Sequence, residues 1–144
     1  QAGPHKDFRR GRSAAESIVP TSTGAAKALT RVFPHLEGRI GGAGIRVPVP
    51  DGSLTDITFT LKKTITIKEV NQAFLEASQG SLKKYLAYTK DPIVSRDIIG
   101  SPYSCTYDEE LTTVLGPMLK VVGWYDNEMG YAHRLADLMQ HLSQ

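Results

Sequence analysis

The sequence predicts an α+β fold: a mixed, mainly antiparallel sheet covered by helices on one face, with a C-terminal helix. Three observations support this prediction. Apolar and polar residues alternate along several short segments, as in strands with one buried face. Two longer segments repeat their apolar residues every three or four positions, as amphipathic helices do. Strand patterns and helix patterns follow one another along the chain, without an internal repeat. The helices would bury one sheet face and leave the other free for a partner domain or subunit.

The composition is that of an ordinary soluble domain. The 144 residues are 40% hydrophobic and 22% charged, enough for one continuous core. A net charge of +2 gives no argument for nucleic acid, and no apolar run is long enough to predict a membrane span. The single cysteine, Cys105, excludes an internal disulfide and fits a reducing cytosol. The four histidines are scattered without metal-ligand spacing, so no metal site is predicted.

The first third of the chain reads as loop, short helix and hairpin. Residues 1–17 are polar, carry a basic cluster and follow neither period. Hydroxyl residues before an alanine-rich stretch predict an N-cap and a helix over residues 25–29, which ends near Pro34. Residues 45–49 and 57–61 alternate as strands, and the PDG turn at residues 50–52 predicts a hairpin between them.

The remainder alternates helices and strands. A capping box, Thr66 with Glu69, predicts a helix that ends at Gly80. Its four apolar positions share one face: Ile67, Val70, Phe74 and Ala77. Met118 begins the clearest strand pattern, through residue 125, and Asp126 or Asn127 is predicted to cap the final helix. That helix aligns four apolar residues on one stripe: Tyr131, Leu135, Leu138 and Leu142. We also predict a short helix over residues 82–86 and strands over residues 93–97, 104–108 and 112–115.

Two local features suggest chemistry. Ser22, Thr23 and Gly24 lie at a predicted helix start, where free N–H groups and the helix dipole favour an anion, although most such sequences are only caps. Arg46 stands among apolar residues, where a phosphate or carboxylate would fit its guanidinium; a solvent-exposed strand arginine is the simpler reading.

Two other features are interpreted as structural. Carboxylates follow Cys105 closely and would raise a thiol pKa, so Cys105 is read as a packing residue rather than a nucleophile. The glycines between residues 38 and 44 lack the GxGxxG spacing and lead into a strand. A dinucleotide-binding Rossmann domain is therefore expected to be absent from this chain.

Three motifs, separated along the chain, together indicate one protein family. The first combines GPHKD at residues 3–7, RRGR at 9–12 and SIVPTSTGAAK at 17–27. The second is RVP at residues 46–48, and the third is WYDNE at 124–128 with GY at 130–131. In order and spacing, they resemble the carboxyl-terminal part of glyceraldehyde-3-phosphate dehydrogenases. The resemblance divides the chain into an S-loop-like segment (1–17), a partial catalytic domain (18–126) and a C-terminal helix (127–144).

The resemblance implies roles for individual residues. Thr23 and Gly24 would contact one of two anion sites, which hold the substrate phosphate and the attacking inorganic phosphate. Arg46 would bind either of these anions, and Arg10 would contribute to the same region. Asn127 would hydrogen-bond the nicotinamide carboxamide, and Tyr131 would pack near that ring.

The family reaction needs residues that are not matched here. In the family a cysteine attacks the aldehyde, a histidine takes a proton, hydride passes to NAD, and phosphate releases the acyl group. Neither Cys105 nor any histidine of this chain matches those positions, so no catalytic residue is assigned. Because the chain opens with Gln1 rather than Met, we expect an excised or processed piece, inactive by itself. The turn at residues 50–53 also departs from the asparagine-containing turn common in the family.

The resemblance further implies a tetrameric, cytoplasmic enzyme of glycolysis and glucose metabolism. Its substrates would be glyceraldehyde 3-phosphate and inorganic phosphate, and its cofactor NAD, with NADP left open. Two alternatives remain at this point. One is a fragment of an erythrose-4-phosphate dehydrogenase, and the other is a non-catalytic binding or assembly module.

Overall fold

A computed structural model describes residues 3–13 and 15–144 of the chain. The interpretation of Gln1, and the loop prediction at residues 2 and 14, lie outside the described residues. The chain divides into two compact units, one within residues 1–50 and one within residues 51–144. No helix in the described residues is both long enough and apolar enough to cross a membrane. The division at residues 17 and 126 that the resemblance implies is a functional one and stays a prediction.

The first unit is built on a small antiparallel ladder. Its elements are β1 (Val19–Ser22), α1 (Ala25–Val32), a 3-10 turn (Pro34–Leu36) and β2 (Ala43–Arg46). Strand β1 pairs with β2 so that Val19 lies opposite Arg46 and Ser22 opposite Ala43. The helix predicted over residues 25–29 is confirmed, since α1 spans Ala25–Val32. Strand β1 was not predicted, because a four-residue strand that contains a proline shows no usable alternation.

The second unit contains a four-stranded sheet. Its elements are β3 (Ser53–Thr60), α2 (Ile67–Gln79), β4 (Leu86–Thr89), β5 (Cys105–Leu115), β6 (Met118–Tyr125) and α3 (Asn127–Leu142). The strand order is β3-β6-β5-β4; β4 runs parallel to β5, and the other neighbours are antiparallel. Helix α2 packs on β4 and β5, and α3 follows the sheet. The predicted α+β class, with a mixed and mainly antiparallel sheet, is confirmed.

Several local predictions are wrong. The hairpin around residues 50–52 does not form, since β2 pairs with β1 and β3 finds its partner in β6 over eight positions. The predicted helix over residues 82–86 is a series of turns that leads into β4, and residues 93–97 form turns rather than a strand. The two short strands predicted at 104–108 and 112–115 are one strand, β5, whose register shifts between Asp108 and Thr113.

The capping box of α2 forms as predicted. The Thr66 hydroxyl accepts a hydrogen bond from the Glu69 N–H at 3.2 Å, and the Glu69 carboxylate accepts one from the Thr66 N–H at 2.8 Å. The helix then buries Val70 and packs Phe74 and Ala77 against the core, and Gly80 ends it. The predicted apolar face is thus confirmed at three of its four positions, because Ile67 remains 43% exposed.

Helix α3 has an exposed apolar stripe. Its predicted apolar positions, Tyr131, Leu135, Leu138 and Leu142, are all exposed, from 44% at Leu135 to 76% at Leu142. The helix is held instead by residues 126, 130 and 134, which contact the segment at residues 100–104. The period was therefore read correctly, but it does not identify the face that this chain buries.

Candidate functional site

The six residues predicted to bind ligands fall into two groups. Arg10, Thr23, Gly24 and Arg46 belong to the first unit, and Asn127 and Tyr131 belong to the second.

Arg10 is fixed at the end of β1. Its Nη2 donates to the Ser22 backbone oxygen at 2.8 Å and to the Ser22 hydroxyl at 3.3 Å. Its Nε lies 3.5 Å from a carboxylate oxygen of Asp7, in a partly exposed ion pair. Within the described residues its Nη1 has no hydrogen-bond partner. The guanidinium is therefore oriented by neutral partners on one side and keeps donors for an anion.

Thr23 and Gly24 lie next in the chain, at the start of α1. Gly24 is the N-cap residue and makes no side-chain cap, while the Thr23 hydroxyl accepts from the Ala25 N–H at 3.2 Å. A Cβ on Gly24 would meet nothing within 4 Å, so the space before the helix is open. The prediction of a hydroxyl N-cap is corrected to a glycine N-cap preceded by a threonine. Among the described residues only the first N–H of α1 has a side-chain acceptor, so the helix start retains N–H groups and a partial positive charge, which favour an anion.

Arg46 lies at the far end of the same ladder. It is the last residue of β2 and is exposed, opposite Val19 rather than Ser22. Three register positions separate these ends, which corresponds to about 10 Å along a strand. The predicted strand through residue 49 is too long: Val47 and Val49 lie beyond β2, where the Val49 N–H bonds to the Val47 oxygen at 2.8 Å. The structure thus groups Arg10 with Thr23 and Gly24, and leaves Arg46 at a separate position.

An open groove adjoins the Arg10 group. It has a volume of about 660 Å³, and its lining includes Lys6, Arg9, Thr21 and Ser22. The sequence predicted a loop for the basic cluster, and the resemblance placed Arg10 near an anion. The signal for this site was already present, because four cations within residues 6–12 precede a hydroxyl-rich helix start. What the sequence did not show is that Ser22 is the residue on which Arg10 rests.

The second group lies on the first turns of α3. Asp126 is the N-cap, and its side chain accepts hydrogen bonds from the N–H groups of Glu128 and Met129. Asn127 begins the helix, is exposed, and makes no side-chain hydrogen bond to any described residue. Tyr131 is four residues later, on the same face, and is 66% exposed. An asparagine amide offers the same donors and acceptor as a nicotinamide carboxamide, and a tyrosine ring offers it a flat surface, so this pair fits that ligand chemically.

One group of carboxylates meets near the start of α3. Oxygens of Asp51, Asp126 and Glu128 lie within 4.8 Å of one another. Backbone N–H groups account for both Asp126 oxygens, and the Gly52 N–H bonds to Asp51 at 2.6 Å. Because these oxygens already serve the local backbone, the cluster does not alter the prediction of no metal site.

Cys105 lies inside the sheet. A Cβ on the buried Gly123 of β6 would run into its sulfur, so the thiol fills the space that the glycine leaves. Burial raises the pKa of the Cys105 thiol above its ordinary value of 9.0. Little thiolate is then present at neutral pH, and these surroundings favour a packing role over a nucleophilic one.

The fold is an α+β domain, and comparison with known proteins identifies its family. Residues 1–127 match the family described as "Glyceraldehyde 3-phosphate dehydrogenase, C-terminal domain". The chain therefore belongs to the glyceraldehyde-3-phosphate dehydrogenase family, of which it carries the carboxyl-terminal domain.

Several relatives carry that name. The chain is 56% identical over 138 residues to glyceraldehyde-3-phosphate dehydrogenase 1 of Streptomyces avermitilis, covering 96% of this chain and 41% of the relative. It is 53% identical over 139 residues to the Mycobacterium avium enzyme (96% and 41%), and 52% identical over 141 residues to the Geobacillus stearothermophilus enzyme (97% and 42%). The chain spans about two fifths of the length of these relatives.

Proposed function

We propose that this chain is the substrate- and nicotinamide-binding part of a phosphorylating glyceraldehyde-3-phosphate dehydrogenase. That enzyme oxidises glyceraldehyde 3-phosphate to 1,3-bisphosphoglycerate with NAD, in glycolysis. The observation that carries the proposal is the anchoring of Arg10 on Ser22 beside the open start of α1, in a chain of this family.

The Arg10 group would bind one phosphate. Its guanidinium presents donors next to a groove whose lining includes two further cations, Lys6 and Arg9, besides Asp7. The start of α1 presents backbone N–H groups. Cationic and dipolar donors that are already oriented stabilise an anion without reorganising when it arrives. Gly24 leaves space for that approach. In this proposal Thr23 and Gly24 contact the bound anion, and Arg10 supplies the charge.

Arg46 would bind the second anion. Its place at the other end of the β1–β2 ladder, about 10 Å away along the strands, suits two separate phosphates better than one shared phosphate. A substrate phosphate and an attacking inorganic phosphate repel each other, and separate cationic positions allow both to be held together. The phosphorylating reaction requires both.

Asn127 and Tyr131 would orient the nicotinamide. When bound, the cofactor accepts a hydride from the substrate. Asn127 would hold the carboxamide, which fixes the rotation of the ring, and Tyr131 would contact the ring itself. Both residues would contact the nicotinamide end of the cofactor, which is the same in NAD and NADP. The assignment to NAD therefore follows from the family resemblance.

The reacting thiol and its base are assigned to the part of the relatives that this chain does not match. Cys105 does not take that role in this proposal, because it is half-buried in the sheet and burial raises the pKa of its thiol. The chain by itself is then inactive, and the functional enzyme is a cytoplasmic tetramer.

A chimera tests the proposal. The 144 residues of this chain replace the 42% of the Geobacillus stearothermophilus enzyme that they match. We expect the chimera to reduce NAD in the presence of glyceraldehyde 3-phosphate, and the rate to depend on inorganic phosphate. Arg10→Met should raise the KM of the anion that this group binds, inorganic phosphate or glyceraldehyde 3-phosphate, about tenfold or more, because a charge-assisted hydrogen bond is lost. Arg31→Met, an exposed arginine in the last turn of α1, is the matched control and should leave that KM unchanged.

Two results would contradict the proposal. The first is a chimera that is folded and binds NAD but shows no phosphate-dependent activity. The second is acyl phosphate formation by the 144-residue chain alone. A preference for erythrose 4-phosphate over glyceraldehyde 3-phosphate would instead identify the alternative substrate.

A further inference from the structure

One face of α3 rests on the segment at residues 100–104. Asp126, Gly130 and Arg134 are four residues apart, so their side-chain positions follow one another along one side of the helix. Each of the three contacts this segment. The contacts together cover the first two turns of α3, where the proposed nicotinamide residues lie.

Asp126 joins the segment to the helix through a single carboxylate. Its Oδ2 accepts a hydrogen bond from the Gly100 N–H at 2.8 Å. Its Oδ1 accepts from the N–H groups of Glu128 at 3.0 Å and Met129 at 2.8 Å. The side chain is 4% exposed. A cap needs only one of these oxygens, so the second oxygen provides a connection that capping does not require.

Gly130 brings the backbones into contact one turn later. A Cβ at this position would lie 2.8 Å from the Tyr103 backbone oxygen, which is closer than real Cβ atoms come. Only glycine lets the helix approach the segment this closely.

Arg134 extends the contact by another turn. Its Nη1 donates to the Ser104 hydroxyl at 2.8 Å and lies 3.4 Å from the Pro102 oxygen. Its guanidinium also lies 4.8 Å from the centre of the Tyr85 ring, and Asp137 holds it from the helix side at 2.9 Å. The arginine is thus fixed by partners on both sides.

The proposed ligand residues are the next positions along the helix. Asn127 follows Asp126 and Tyr131 follows Gly130, which places them about 100° further around the helix axis. Because the contact with residues 100–104 sets the rotation of α3 about its axis, it also sets the direction in which Asn127 and Tyr131 face. We propose that Asp126, Gly130 and Arg134 are positioning residues that orient these two side chains toward the nicotinamide; this inference rests on the proposed function.

Asp126→Asn separates orientation from capping. Asparagine is as good an N-cap as aspartate, so its oxygen can still accept from Glu128 and Met129. Its NH₂ group, in place of Oδ2, cannot accept from the Gly100 N–H. In the chimera, we expect this variant to bind NAD about tenfold more weakly by calorimetry, since small displacements of binding groups are costly. The KM of phosphate should stay within about twofold, because that anion is bound by the first unit.

Thr66→Ala is the matched control. It removes the N-cap of α2 and lowers stability, but it is not part of the contact with residues 100–104. Its NAD affinity should equal that of the unsubstituted chimera. If Thr66→Ala and Asp126→Asn weaken NAD binding equally, loss of stability explains both, and the positioning role is wrong.

The outcomes separate this inference from the proposed function. A chimera that does not bind NAD contradicts the proposed function. A chimera that binds NAD with the same affinity after Asp126→Asn leaves the function standing and overturns the inference. Amide hydrogen exchange on the 144-residue chain provides a second measurement without cofactor. There, Asp126→Asn should accelerate exchange at Gly100 and leave Met129 protected; unchanged exchange at Gly100 would also overturn the inference.

Discussion

The rings of Phe74 and Tyr107 stack face to face, with centroids 3.9 Å apart and planes 2° from parallel. Phe74 belongs to α2 and Tyr107 to β5, so this pair joins the helix to the sheet. The Tyr107 hydroxyl donates to the Asn71 side chain at 2.7 Å and is also hydrogen-bonded to Thr112. One buried tyrosine therefore attaches to α2 through its ring and its hydroxyl, and to Thr112 within the irregular stretch of its own strand.

Phe74→Ala should destabilise the protein by about 2–4 kcal/mol, since it removes a ring from the core contact and leaves a cavity. Urea unfolding followed by far-ultraviolet circular dichroism measures the loss. Phe8→Ala is the matched control, because Phe8 is 89% exposed and its loss should change stability by less than about 0.5 kcal/mol. Equal effects at the two positions would show that the stack contributes nothing.

Tyr88 and Tyr107 should ionise late in an alkaline titration. Burial raises the pKa of both phenols above 10.0, and at Tyr88 a hydrogen bond to Glu109 raises it further. Because the folded-state pKa exceeds the unfolded one, their stabilising effect is complete below pH 10 and is lost as the pH rises through the folded value. Phenolate absorbance should show a late phase that shrinks in Tyr88→Phe and disappears in denaturant. A late phase that is unchanged in Tyr88→Phe would contradict the assignment.

Gly123→Ala should destabilise the sheet by about 1–3 kcal/mol, although alanine is usually tolerated better than glycine in a strand. The cause is the Cys105 sulfur, which occupies the position of the added methyl group. In a Cys105→Ala background the cost of Gly123→Ala should therefore fall, with a coupling energy of about 1 kcal/mol or more.

Urea denaturation of the four proteins in this cycle provides the measurement. Gly41→Ala serves as a control, because a Cβ there meets nothing within 4 Å. Strict additivity of Gly123→Ala and Cys105→Ala would refute the proposed contact.

Asp126 should make the stability depend on pH in the acid range. Hydrogen bonds from the backbone N–H groups of Met129, Gly100 and Glu128 hold the pKa of this carboxyl below 3.8. Because the folded-state pKa is lowered, its stabilising effect is present above pH 3.8 and is lost as the pH falls through the folded value. The difference in Tm between the parent chain and Asp126→Asn should be largest near neutral pH and shrink in acid. A pH-independent difference would show that the carboxylate charge is unimportant.

Local patterns predicted the elements whose formation depends on neighbouring residues. The strand predicted from Met118 through residue 125 matches β6 in full, because its β-branched and aromatic residues favour an extended backbone. Thr66 and Glu69 cap α2 as predicted, since both partners lie within one turn. Asp126 was one of two candidates for the last cap, and the structure selects it over Asn127.

Pairing between distant segments was not predictable in the same way. Residues 50–52 have the sequence of a tight turn, yet β3 has a longer partner in β6, and eight aligned positions outweigh a short local hairpin. Leu86 begins β4, which pairs in parallel with β5 over four positions and shows no period of its own. A strand as short as β4 forms because a neighbouring strand of the sheet pairs with it, not because of its own sequence pattern.

In the candidate site too, contacts between segments distant in sequence were not predictable. The residue types at Arg10, Thr23 and Arg46 were recognisable from their motifs, and their chemistry follows from charge and hydroxyl content. Arg10 donates a hydrogen bond to the backbone oxygen of Ser22, twelve residues along the chain. Every residue has such an oxygen, so the sequence could not identify this partner. The contact of α3 with residues 100–104 depends on backbone oxygens as well, at Pro102 and Tyr103.

The strand order of the sheet also bears on synthesis of the chain. Strand β6 lies between β3 and β5, and Ser53 pairs with Tyr125. On a ribosome, β3 therefore emerges long before the strand that satisfies its backbone. The sheet cannot be completed during translation until residue 125 has left the exit tunnel. Nascent chains are accordingly expected to remain open, and to need protection by a chaperone, over most of the time that this unit takes to be synthesised.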